Sequence, residues 1–295
     1  MTNTARASDL PIADTAIPIV TATGTAQERA AMPVSRALAD IGLMAQRNLR
    51  KMIRNPRLIV FTTIQPFMQL ILFIFVFGSI ARIPGLDYKD FVVPAVLVQT
   101  MTFASMSSGV GIANDIHTGM VDRLRALPIA RSAFLVGRTV SDSTRLSIQA
   151  LLLVIAALAV GFRFHNGFLG AVGMVVVVVL FGVALTAFSG WVGLVVGDPE
   201  SVQAAVFIPI LPLVFTSSAF APVSRLPGWM QPFAHASPVT AAIDTARGLA
   251  LGDKALFRVS NTHLGASGLH FALWWVGIMV VFTSLAVRRY RLGSG

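Results

Sequence analysis

The stretch 167–197, "GFLGAVGMVVVVVLFGVALTAFSGWVGLVVG", contains no charged residue and is apolar over nearly its whole length. A helix needs about 20 apolar residues to cross about 30 Å of hydrocarbon, so division into two spans would leave each with only about 15. The recurring glycines instead favour one long helix that is tilted or bent. The sequence therefore predicts a single transmembrane helix here.

The rest of the chain repeats this apolar character. Of its 295 residues, 55% are hydrophobic and only 12% are charged, against about 25% charged residues in soluble domains. Six runs are nearly free of charge and predict an all-α membrane domain of six transmembrane helices over residues 58–287. The predicted spans are 58–80, 91–113, 146–162, 167–197, 202–223 and 269–287.

The distribution of positive charge predicts the orientation of these spans. If the N-terminus is cytoplasmic, the cytoplasmic segments hold sixteen of the 23 Lys and Arg residues. Positive residues near spans stay on the cytoplasmic side, so both termini, including a tail at 288–295, are predicted to be cytoplasmic. The net charge of +10 then reflects membrane topology, and we expect no nucleic-acid partner.

The region before the first span divides into two parts. Residues 1–34 are rich in Thr and Ala, lack a strong apolar period and predict a disordered cytoplasmic tail. Residues 35–55 have an apolar face opposite a basic face, which predicts a helix lying on membrane lipid. A solvated helix with no membrane role is the alternative. The basic face carries Arg47, Arg50, Lys51 and Arg54.

The sequence contains no motif that indicates catalysis, nucleotide binding or metal binding. No GxxxxGK[ST] phosphate-binding loop occurs, no catalytic residues stand out, and the absence of Cys together with five unpaired His residues predicts no metal site. Ion-coupled carriers usually place ionisable groups within their spans, and the six predicted spans contain none. If the protein is a pump, its energy must come from another protein. Gln65, Gln69 and Gln99 lie within spans and could line a path or join helices.

The most specific motif follows the second span. Residues 119–138, "GMVDRLRALPIARSAFLVGR", resemble the cytoplasmic stretch of permeases of type-2 ATP-binding-cassette exporters, in the daunorubicin-resistance branch. Two further stretches resemble the same family: "DPESVQAA" at 198–205 and "LPGWMQPFAHASPVTAAIDTARGLALG" at 226–252. The resemblance covers about residues 36–295.

The resemblance implies that 119–127 is a cytoplasmic coupling helix, docked in a groove of a separate ATPase subunit. That subunit would bind ATP and Mg²⁺, so this chain would need no cofactor and would be no enzyme. From the residues alone, an ordinary positively charged loop is an equal alternative. The implied coupling residues are Gly119, Asp122, Arg123, Leu124, Arg125, Leu127 and Pro128.

The same resemblance implies the wider assembly. A second permease chain, identical or homologous, would complete the path in the plasma membrane, and short external re-entrant helices would precede the last span. The cargo would be an amphipathic drug, lipid or glycolipid moved outward. An ion-coupled carrier or channel, or a membrane assembly factor that transports nothing, are the remaining alternatives.

Overall fold

The computed structural model describes residues 56–78, 86–120 and 131–292, and this part of the chain is all-α. We number its α-helices in chain order. They are α1 (Pro56–Leu72, continued by a π-helical turn Phe73–Phe77), α2 (Tyr88–His117), α3 (Arg131–Ala159), α4 (Gly167–Val196), α5 (Pro199–Phe215), α6 (Gln231–Ala236), α7 (Pro238–Leu251), α8 (Asp253–Ser260) and α9 (Leu264–Leu292), with a short 3-10 turn at Val223–Arg225.

The helices confirm the predicted fold class in its coarse form. Within the described ranges, α2, α3, α4 and α9 are long and apolar enough to cross a membrane. The apolar helices at Ile64–Phe77 and Pro199–Phe215 are shorter. The count of six spans therefore stays a prediction.

Helix α4 is the centre of the bundle. The apolar run at 167–197 forms one continuous helix of 30 residues, and α2, α3, α5, α7 and α9 all pack against it. A Cβ atom on Gly182 would lie 3.0 Å from Leu146 on α3 and 3.1 Å from Met101 on α2. The glycines thus let neighbouring helices approach α4 closely, a role that the sequence analysis did not anticipate.

Helices α2 and α4 approach each other closely. Ser189 donates a hydrogen bond from its Oγ to the backbone oxygen of Ser105 at 2.7 Å. A Cβ atom on Gly109 would collide with the backbone oxygen of Ser189, and one on Gly193 would collide with the backbone oxygen of Gly109. Small residues four apart on both helices therefore form the contact, as is usual where helices pack in membranes.

Helices α3 and α5 show the largest differences from the bounds of the spans predicted for them. Helix α3 begins at Arg131 and runs on into the predicted span at 146–162, and Arg138 in its part before that span pairs with Asp115 on α2. Helix α5 ends at Phe215, before the predicted end at 223. The chain then turns, and the backbone N–H of Ser218 donates to Thr240 Oγ1 on α7 at 3.2 Å.

Three short helices, α6, α7 and α8, lie between α5 and α9. Ser237 caps α7 by accepting a hydrogen bond from the backbone N–H of Val239 at 3.2 Å, with Pro238 in the first helical position. Gly252, at φ 93°, separates α7 from α8. Helix α7 is largely buried and contacts α2, α4 and α9.

Candidate functional site

The described part of the predicted coupling segment begins where α2 ends. The backbone N–H of Thr118 donates to the oxygen of Asn114 at 3.0 Å, and that of Gly119 donates to Ile116 at 2.9 Å. Gly119 has φ 65°, a left-handed conformation that glycine adopts without a Cβ penalty. Gly119, the first residue of the predicted coupling helix, therefore lies in the turn that stops α2.

The other predicted coupling residues lie outside the described residues, as does the predicted interfacial helix, so both stay predictions. What the structure describes is the two ends between which the coupling segment runs: Met120 on one side and Arg131, the start of α3, on the other. The undescribed coupling residues are Asp122, Arg123, Leu124, Arg125, Leu127 and Pro128, and those of the interfacial helix are Arg47, Arg50, Lys51 and Arg54.

A group of charged residues joins α2 to α3 next to these two ends. We call it the Arg138 cluster; it comprises Ser108, Asp115, Arg138, Asp142 and Arg145. Arg138 donates from Nη1 to Asp115 Oδ2 at 2.9 Å and from Nη2 to the backbone oxygen of Ser108 at 3.0 Å. Its guanidinium lies against Gly111, where a Cβ atom would collide with Nη2. Arg138 thus holds α3 directly against the last turns of α2.

Asp142 is the second acidic member of the Arg138 cluster. It accepts a hydrogen bond from Ser108 Oγ at 2.5 Å, and its carboxylate lies 3.8 Å from Arg138 Nε and 3.7 Å from Arg145 Nη2. Arg145 also donates to the backbone oxygen of Ala104 at 3.0 Å. Two arginines and two aspartates balance in charge, so the cluster joins the helices without leaving a net charge.

The sequence contained a signal for this cluster. Arg138, Asp142 and Arg145 are separated by four and three residues, so a helix places them on one face. In the sequence, Arg138 entered the argument as the end of the motif at 119–138, and both arginines as positive residues near a span, but neither was paired with Asp142. These three residues lie at or before the start of the predicted span at 146, and the periodicity of this face was not considered.

The three glutamines predicted to line a path lie in different surroundings. Gln65 on α1 is exposed and Gln69 is half-buried, whereas Gln99 on α2 is only 5% exposed. Gln65 can therefore meet another molecule at the chain's surface, while Gln99 lies within this chain. A path-lining role stays a prediction for all three.

A second polar cluster lies near the other end of α2. We call it the Arg247 cluster; it comprises Phe91, Ser218, Asp244, Arg247 and Ser260. Arg247 has no exposed surface and donates from Nη1 to Asp244 Oδ1 at 3.1 Å. It also donates from Nε to the backbone oxygen of Phe91 at 3.1 Å and from Nη2 to that of Ser218 at 2.8 Å.

The remaining contacts of the Arg247 cluster satisfy its carboxylate. Asp244 Oδ1 accepts from Ser260 Oγ at 2.9 Å and from Ser218 Oγ at 3.1 Å. The guanidinium carbon of Arg247 lies 3.9 Å from the ring centroid of Phe91, within the range of a cation–π interaction. One buried arginine thereby contacts α2, the turn after α5, and α7. Arg247 lies outside the predicted spans and was counted with the external segments, and the structure shows that its side chain is fully buried.

Two aspartates cap helices at the surface. Asp198 accepts a hydrogen bond from the backbone N–H of Ser201 at 2.8 Å at the start of α5, and bonding to Ser201 lowers the pKa of Asp198. Asp253 contacts His263 Nδ1 at 2.9 Å and accepts from the N–H of Leu264 at 2.6 Å. The bond to His263, followed by that to Leu264, lowers the pKa of Asp253. Both carboxylates therefore favour the ionised form.

Comparison with known proteins agrees with this architecture. Residues 39–251 match the family described as "ABC-2 type transporter". A daunorubicin resistance ABC transporter permease protein of Streptomyces coeruleorubidus is 31% identical over 77% of this chain and 77% of its own length.

Two further relatives cover most of the chain. A probable doxorubicin resistance ABC transporter permease protein of Mycobacterium tuberculosis is 24% identical over 87% of this chain and 90% of its own. A putative transport permease of Cyanophora paradoxa is 26% identical over 83% of this chain and 85% of its own length. The family match covers well over half of the residues, and several apolar helices accompany it. The chain is therefore a multi-pass membrane protein that belongs to the ABC-2 type transporter family.

Proposed function

We propose that this chain is the transmembrane permease subunit of an ATP-binding-cassette exporter. A separate ATPase subunit binds and hydrolyses ATP with Mg²⁺, and this chain carries the path for the cargo. The observation that carries the proposal is the Arg138 cluster, which fastens α2 to α3 on both sides of the segment 119–128. A force on that segment therefore acts on both helices together.

The same proposal assigns the two sides of the membrane. The Arg138 cluster and both termini face the cytoplasm, where an ATPase subunit is available, and the Arg247 cluster lies toward the outside. The excess of Lys and Arg in the corresponding segments supports this assignment. A second copy of the chain, or a homologous permease, completes the path in the plasma membrane.

The cargo is an amphipathic drug, lipid or glycolipid. Relatives named for daunorubicin and doxorubicin resistance support a drug of that class as the first probe. The exposed apolar side chains of α1, including Met68 and Phe75, give the surface that lipid or a second permease would contact.

An ion-coupled carrier remains the second candidate, because buried charges are typical of such proteins. Arg247 and Asp244 are buried charges that lie outside the predicted spans. However, Asp244 is paired with Arg247 and accepts further bonds from two serines, so the pair has the contacts of a structural element. We therefore favour the ATP-driven exporter.

Transport in proteoliposomes tests the proposal. The chain reconstituted with its ATPase subunit should export daunorubicin only with ATP, and the chain alone should hydrolyse none. Arg123→Glu should abolish partner binding while leaving membrane insertion intact, because it places a negative charge at the predicted dock. Export driven by a proton gradient without an ATPase would contradict the proposal and support the ion-coupled carrier.

A further inference from the structure

Helix α2 carries a polar cluster near each of its ends. Phe91 lies in its first turns and Asp115 in its last, within one continuous helix at Tyr88–His117. At about 1.5 Å per residue, these two residues are about 36 Å apart along the helix axis. The helix therefore links the turn before the coupling segment to the opposite end of the protein.

Arg247 fastens α7 to the first turns of α2. Its Nε donates to the backbone oxygen of Phe91, and its guanidinium lies over the Phe91 ring. Pro94 has no N–H to donate to the carbonyl four residues earlier, so this part of α2 lacks one helical hydrogen bond. Arg247 donates to the next carbonyl along the chain, that of Phe91, and not to the carbonyl that Pro94 leaves free.

Helices α7 and α8 are themselves held together. Asp244 on α7 accepts from Ser260 at the end of α8 at 2.9 Å. Gly248 on α7 allows close packing, because a Cβ atom there would lie 2.8 Å from both Leu256 on α8 and Leu264 on α9. A motion of α7 therefore takes α8 with it.

We infer that Arg247 is a positioning residue that makes α7 and α8 move as one body with α2. Displacement of α2 at the coupling segment then reaches the outer end of the protein through the Arg247 cluster. This inference rests on the proposed function, since it needs an ATPase to displace the coupling segment.

Paired spin labels test whether the body is rigid. The chain contains no Cys, so Asp87→Cys before α2 and Lys254→Cys on α8 introduce two unique labelling sites at exposed positions. Their distance, measured by pulsed electron resonance in the full complex, should be the same without nucleotide and with vanadate-trapped nucleotide. A distance that changes on trapping would overturn the inference while leaving the proposed function in place.

The double substitution Asp244→Leu/Arg247→Met removes the fastening without leaving an unpaired buried charge, so the variant should fold. In this variant the distribution of distances between the two labels should broaden when the nucleotide is trapped. The amount of daunorubicin exported per ATP hydrolysed should fall at least fivefold while ATP hydrolysis continues. Arg258→Gln, on the exposed face of α8, is the matched control and should change neither quantity.

Unchanged export per ATP and an unchanged distance in the folded double variant would overturn the role of Arg247. A chain that assembles with no ATPase would overturn the proposed function, and this inference with it.

Discussion

The Arg247 cluster and the Arg138 cluster both join α2 to other helices through arginine and aspartate, but they differ in burial. Arg247 has no exposed surface, whereas the side chains of Arg138 and Asp115 are 18% and 24% exposed. A fully buried pair is costly to break, because a remaining partner keeps an uncompensated charge. A partly exposed pair can exchange its contacts with water at lower cost. We therefore expect a rigid connection at the Arg247 cluster and an adjustable one at the Arg138 cluster, next to the predicted coupling segment.

Removing Arg247 alone should give the largest effect. Arg247→Met leaves Asp244 buried without its counter-charge, and we expect the free energy of unfolding to fall by about 3–5 kcal/mol. Thermal unfolding of the purified protein in detergent measures this change. The double substitution Asp244→Leu/Arg247→Met should recover most of the loss. Equal destabilisation by the single and double substitutions would show that packing, and not charge, makes this end rigid.

The contact between α2 and α4 lies on the same part of α2 as the Arg138 cluster and should give the next largest effect. Gly109→Ala places a methyl group against the backbone of Ser189, and overpacking of this kind costs about 1–3 kcal/mol. Thermal unfolding again provides the measurement. Gly277→Ala on α9 is the control, because its added methyl group would meet open space. If both substitutions have the same effect, α2 is not held rigidly along its length.

The Arg138 cluster should respond in the opposite way, with a small loss of stability and a large loss of function. Arg138→Gln removes a partly exposed ion pair with Asp115 and a longer one with Asp142, which keeps Arg145, so we expect a stability loss of only about 1 kcal/mol. Export per ATP hydrolysed should fall several-fold, because α3 no longer follows the last turns of α2. Arg138→Lys keeps the charge, so its export per ATP hydrolysed should lie between that of the unmodified protein and that of Arg138→Gln. A loss of stability as large as that of Arg247→Met would remove the distinction between the clusters.

The smallest effect is expected at the exposed pair of Asp253 and His263, which belongs to neither cluster. The folded-state pKa of Asp253 is lowered from 3.8, mainly by its bond to His263. The ionised Asp253 carboxylate therefore contributes its full share to the stability of the fold at pH values above 3.8. The contribution is lost as the pH falls through the lower folded-state pKa. Asp253→Asn should therefore unfold with a slightly weaker dependence on pH below about 4. If Asp253→Asn lowers the unfolding temperature at pH 7 by more than Gly109→Ala does, this ranking is contradicted.

Hydropathy and glycine content were sufficient to predict the long helices. The run at 167–197 lacks charge, and no arrangement of neighbours is needed to make it a helix in lipid. The same reasoning limited the third span to 146–162, because it treats a charge as the end of a span. Arg138 and Asp142 continue the helix by pairing with α2.

The partners of individual side chains could not be predicted in this way. The contact of Arg247 with Phe91 joins residues 156 positions apart and depends on how α7 packs against α2. Counting positive charge near spans treats such an arginine as a surface residue. A close spacing of Asp244 and Arg247, three residues apart on one helix, was the local signal that could have indicated an internal pair.

The most direct test of the central claim is cross-linking from the coupling segment in membranes. Arg125→Cys would be a unique cysteine in this chain, and a thiol-specific photocross-linker attached there should join the permease to its ATPase subunit from the cytoplasmic side. The same reagent at Lys254→Cys should react only from the outside and give no cross-link to the ATPase. Labelling of position 125 from outside the cell, or a cross-link to the ATPase from position 254 alone, would contradict the account.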